Sequence, residues 1–70
     1  MDGNEFRKQF KLHKQKGNRF VFVKCENNTG FFADDYYIVS GQVNFMISVE
    51  GYKIVGGFIN LSEVIKVEEV

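Results

Sequence analysis

From Gln42 to Glu50 the chain repeats with a period of two: Val43, Phe45, Ile47 and Val49 alternate with Asn44, Met46, Ser48 and Glu50. Successive side chains of a strand point to opposite faces, so this run specifies a strand with one buried face. Such a face needs sheet partners, and the flanking sequence offers them. Gly51-Tyr52 reads as a short turn into a second strand, Lys53–Leu61, which makes a hairpin. Gly56-Gly57 inside that strand marks a bulge or a sharp bend. Arg19–Glu26, Tyr36–Ser40 and Ile65–Glu69 are further strands, and Asn27-Asn28-Thr29-Gly30 has turn chemistry. Seventy residues allow one domain, residues 1–70. The expected fold is mainly β, a small open barrel or sandwich of five or six short antiparallel strands.

The segment before Gly17 admits two readings. As a strand it places Phe6, Phe10 and Leu12 on one face. As a helix it places Phe6, Phe10 and His13 at i, i+4 and i+7, with Glu5 in the first turn and Lys14 and Lys16 near the last, which suits the helix dipole. Gly17 would then follow the helix as its left-handed terminator. The helical reading gives an alternative fold, α+β with an N-terminal helix packed on the sheet. Both readings stand at this stage.

Composition narrows the chemistry. One cysteine cannot form an internal disulfide, and Cys25 with His13 cannot supply the four ligands of a structural zinc site. No metal or other cofactor is expected. No apolar run approaches the roughly 20 residues needed to cross a bilayer, and the polar, acidic start Met1-Asp2-Gly3-Asn4-Glu5 does not read as a secretory signal. The expected setting is the cytoplasm, with Cys25 reduced. Ser40, Ser48 and Ser62 lack the loop signatures of a hydrolytic nucleophile, and Gly56-Gly57 lacks the Lys-Ser/Thr of a phosphate loop. No enzymatic activity and no small-molecule substrate are expected.

Net charge is zero, with nine basic and nine acidic residues, yet the charges are segregated. Residues 1–24 hold seven basic groups and two acids, for +5, and residues 25–70 hold the opposite balance, −5. Clustered like charge repels itself and steers partners of opposite sign. Two explanations compete: a functional basic surface, or halves that lie side by side and neutralise each other.

The stretch Lys16-Gly17-Asn18-Arg19-Phe20-Val21-Phe22-Val23-Lys24 is the most informative. In a strand, Phe20, Phe22 and Lys24 point one way while Val21, Val23 and Cys25 point the other. Both faces are apolar in a chain too small for two cores, so one face must be covered by a helix, a second protomer, a partner or stacked bases. Aromatic rings beside Lys and Arg form the stacking and phosphate-contact surface used for single-stranded nucleic acid, each stacked base being worth about 1–3 kcal/mol. Lys16, Gly17, Phe20 and Val21 also partly resemble the RNP1-like string of RNA-recognition and cold-shock domains. Asn18 stands where that string has its first aromatic and Arg19 where it has a small residue. The match covers about eight residues, with no second string beside it.

These residues lead to a non-enzymatic binding module. In the first reading Arg7, Lys8, Lys11, Lys14, Lys16, Arg19 and Lys24 contact phosphates of single-stranded nucleic acid and Phe20 with Phe22 stacks on bases. In the second, the chain is a small protein-interaction or inhibitory accessory protein, alone or as a homodimer, using the acidic, tyrosine-bearing edge Asp34, Asp35, Tyr36 and Tyr37.

Overall fold

A computed structural model describes all seventy residues, Met1 to Val70. The N-terminal ambiguity resolves as a helix, α1, over Gly3–Gln15. Asp2 caps it: its side chain accepts from the amide of Glu5 at 2.8 Å, satisfying one of the donors a helix start leaves free. Glu5 in turn accepts from Gln9 one turn later, at 2.9 Å. Gly17 follows with φ +90°, the conformation that only glycine adopts without strain. The strand reading is corrected by burial. Phe6 and Phe10 are sealed in the core while Leu12, which a strand would have placed beside them, is half exposed. Helical spacing puts residues 6 and 10 on one face and residue 12 on another.

Six strands follow: β1 Val21–Cys25, β2 Gly30–Ala33, β3 Asp35–Val39, β4 Gln42–Val49, β5 Tyr52–Asn60 and β6 Val64–Glu69, with one 3-10 turn at Leu61–Glu63. They form two antiparallel three-stranded sheets, ordered β2-β1-β6 and β3-β4-β5. The fold is mainly β with a helix packed on it, the α+β alternative. Strand β2 was not expected as a strand. Asp34 alone separates it from β3, and the Asp34 amide donates to Met46 O at 3.0 Å, so the chain turns there from one sheet into the other.

Local chemistry explains the connections. β3 reaches β4 through Ser40-Gly41 and β4 reaches β5 through Glu50-Gly51, all four residues having positive φ. Two-residue turns of this mirror-image kind match the twist of the strands they join. The expected bulge is present: Phe45 pairs with Gly57 and Met46 with Val55, leaving Gly56 as the extra residue.

The core lies between the sheets and beneath α1. It comprises Phe6, Phe10, Val21, Val23, Cys25, Ala33, Val43, Phe45, Val64 and Val67. Val43 and Phe45 point inward as the alternation requires, but Val49 near the hairpin tip is half exposed, because β4 and β5 extend beyond the core. Phe6 meets Tyr36 of β3 edge-on at 4.9 Å and lies 6.5 Å from Phe45 of β4, while Gln9 and His13 reach Val67 of β6, so the helix joins both sheets. In a chain whose total stability is a few to about ten kcal/mol, removing the Phe6 ring would cost about 3–5 kcal/mol.

Candidate nucleic-acid interface

The helix that buries Phe6 and Phe10 necessarily turns its cations outward. Arg7, Lys11 and Lys14, spaced i, i+4 and i+7, form a stripe along α1 on the side facing β3, with Lys8 beside it. Lys11 and Lys14 share a groove with Asp35 and Tyr36, which places that part of the stripe beside β3. Between α1 and β3 lies a groove of about 450 Å³ lined by Phe10, Lys11, Lys14, Arg19, Tyr36 and Lys53, with Asp34, Asp35 and Ser48 at its floor and wall.

Specific contacts hold most of the groove residues, Lys11 being free. Lys14 Nζ donates to Arg19 O at 2.6 Å, tying the last helical turn to the segment entering β1. The Arg19 guanidinium then lies over the Phe20 ring, 5.0 Å from its centre. Tyr36 packs edge-on against Phe6 and Phe10, and burial pushes its phenol above its ordinary pKa. Asp34 Oδ2 accepts from the Ser48 amide at 2.8 Å, whereas Oδ1 is buried with no hydrogen-bond partner. Asp35 pairs with Lys53, and that hydrogen bond holds its carboxyl below the usual range.

The two competing explanations of the charge segregation can now be compared. Of the seven basic residues before Cys25, only Lys16 has a carboxylate within ion-pair distance, Glu69 at 3.1 Å; the other ion pairs are His13–Glu69, Lys53–Asp35 and Lys66–Glu68. Arg7, Lys8, Lys11, Lys14, Arg19 and Lys24 stand unpaired. The basic half is not neutralised by the acidic half. Like charges at i, i+4 cost a helix about 0.2–0.5 kcal/mol each, and within the stripe only Lys14 returns a hydrogen bond to the fold, through Arg19 O.

The aromatic residues separate. Val21 and Val23 point into the core, which sends Phe22 and Lys24 to the outer face of β1. There Phe22 pairs across the sheet with Phe32 of β2, ring centres 5.0 Å apart, and Phe32 is 55% exposed. The helix caps the inner side only, so the outer rings remain accessible. Phe20 precedes the strand and stays with the groove through Arg19. Of the RNP1-like string, Lys16, Gly17 and Asn18 terminate the helix and its turn, and regular strand begins only at Val21.

The acidic edge is divided in space. Asp34, Asp35 and Tyr36 line the groove, while Tyr37 lies outside it and is 42% exposed. Sequence reading missed Lys53 and Phe32. Lys53 reaches the groove through the pairing of β5 with β4, a non-local event that leaves no local mark, whereas Phe32 lies in the apolar triplet Phe31-Phe32-Ala33 after Gly30, a pattern from which a short strand could have been read. No three His, Cys, Asp or Glu side chains come together in a metal-binding arrangement, and no helix is long and apolar enough to cross a membrane.

No protein family, curated protein or solved structure matches this chain.

Proposed function

We propose that this chain is a non-enzymatic module that binds single-stranded nucleic acid along the groove between α1 and β3. Arg7, Lys8, Lys11, Lys14 and Arg19 contact phosphates, joined by Lys53, and Phe20 supports Arg19 at the rim. Phe22 and Phe32, flanked by Lys24, give a second surface on which bases stack. The observation that supports the reading is the run of unpaired cations beside a groove too polar for an apolar ligand. A single buried thiol fits a cytoplasmic setting.

Single strands suit this arrangement better than duplex. The groove is short and bounded by one helix, and separated aromatic faces accept unpaired bases without base-specific hydrogen bonds. Phosphate contacts release condensed counterions, so about four contacts to a single strand would give a log–log salt slope near −3.

Fluorescence anisotropy of a labelled oligothymidylate tests the reading. Binding at about 50 mM salt that weakens steeply by about 200 mM is expected. Lys11→Glu with Lys14→Glu should weaken it at least tenfold, since both side chains leave the core untouched. Phe22→Ala should weaken it by a smaller factor without changing the salt slope. Absence of binding at low salt, or binding indifferent to the two lysines, would overturn the proposal.

A further inference from the structure

A sheet edge that is not covered offers its main-chain groups to another strand, and small β proteins normally protect such edges. Here one edge is protected and another is not. At β6, both main-chain groups of Val67 are taken by the helix: its amide donates to Gln9 Oε1 at 3.3 Å, and its carbonyl lies 3.1 Å from His13 Nε2. Two side chains of α1 thus stopper that edge. At β2, the chain bends into β3 through Asp34, and Phe31 folds over Gly57, joining the sheets. At β3, the Tyr36 amide donates to Asp35 Oδ1 at 2.8 Å, so this main-chain group is taken by the strand's own side chain.

β5 has no such protection. It pairs with β4 on one side only, and it is the longest strand, nine residues. Its side chains are exposed and mostly apolar: Tyr52 is 75% exposed, Phe58 62%, Ile54 52% and Val55 48%. Its deterrents are weak. There is no proline, and its one charge, Lys53, is engaged by Asp35. The Gly56 bulge sits at mid-strand and leaves four residues on either side of it in regular register with β4.

We infer that β5 is a self-association edge, on which a second copy of this chain adds its own β5 antiparallel to make a continuous six-stranded sheet across a twofold axis. Self-pairing is favoured over another partner because the edge is complementary to itself. The bulge reverses the alternation, so that Tyr52, Ile54, Gly57 and Ile59 share the inner face and Lys53, Val55 and Phe58 the outer. A twofold axis between Val55 and Gly56 keeps inner residues opposite inner ones along the whole strand. It sets Tyr52 against Ile59, Ile54 against Gly57 and Lys53 against Phe58. No like charges meet, and the lone cation faces an aromatic ring. Pairing with the β6 edge of another copy would have to displace the Gln9 and His13 bonds to Val67. The inference does not depend on nucleic-acid binding, since β5 faces away from the basic stripe apart from Lys53.

Sedimentation equilibrium tests it, because a self-associating species changes mass with concentration. Across about 1–200 µM the mass should rise from that of one chain, 8.1 kDa, toward twice that value. Ile54→Lys with Val55→Lys should hold the protein monomeric while leaving its circular dichroism unchanged, both side chains being half exposed in the single chain. Deuterium exchange of β5 amides should slow with concentration, while that of β6 amides stays constant. A strict monomer, open-ended polymers in place of a dimer, a dimer that survives the double substitution, or β5 exchange indifferent to concentration would each overturn the inference.

Discussion

The ring of Phe31 rests on the backbone of Gly57: a methyl group built at residue 57 would come within 2.6 Å of the ring. The same ring stacks on Phe45 at 4.6 Å, so one aromatic side chain of β2 holds β4 and β5 against the other sheet. Gly57→Ala must therefore push Phe31 off Phe45. We expect a loss of about 1–3 kcal/mol, the usual cost of overpacking, read as a lowered urea midpoint. Gly41→Ala, which meets nothing within 4 Å, separates this steric effect from backbone strain, since Gly41 and not Gly57 has positive φ.

Cys25 should behave as an inert thiol. It is 1% exposed, its Sγ contacts Val23 O at 3.7 Å, and burial, aided by the Glu63 charge, pushes its pKa up. The thiolate is the reactive form. Labelling by a thiol reagent at neutral pH should therefore be slow in native protein and rapid in urea, its rate following the population of open molecules. Fast native labelling would show that the core around β1 is not closed.

The turn at Glu50-Gly51 can be improved. Glu50 has φ +51°, a conformation that asparagine tolerates far better than glutamate. Glu50→Asn should raise stability by about 0.5–1 kcal/mol, seen as a higher melting temperature. It changes no groove residue, so oligonucleotide affinity should stay as it was.

Acid sensitivity should come in part from Asp35. Its hydrogen bond to Lys53 lowers the folded-state pKa below the ordinary 3.8, so the pair's stabilisation is present above that value. It is lost as pH falls through the lowered folded value. Both side chains are substantially exposed, which makes the effect small and screened by salt. In Asp35→Asn, the urea midpoint should fall less steeply below pH 4 than in the parent, and high salt should narrow the difference.

The hairpin β4–β5, its mid-strand bulge and the strands β1, β3 and β6 were legible because each follows from a local pattern of alternation or turn chemistry. The helix was not decided by sequence, since Phe6 and Phe10 suit a strand face and a helix face equally. Only Leu12 distinguishes the two, and its exposure depends on where the sheets lie. The basic stripe was legible as charge, yet its freedom from neutralisation was not, because that depends on Glu69 and Asp35 finding Lys16 and Lys53 across the fold. The expectation that something must cover the second face of β1 was half realised. The helix covers the inner side, and Phe22 with Phe32 stays outside.

In the proposed complex, nucleic acid lies along α1 beside β3. Amide and side-chain chemical shifts of labelled protein, titrated with a short oligothymidylate at low salt, test it residue by residue. The account predicts that perturbations gather on Arg7, Lys8, Lys11, Lys14, Arg19, Phe20 and Lys53, with a second set at Phe22 and Phe32. Perturbations absent from α1, or gathered instead on residues 54–60 of β5, would contradict it.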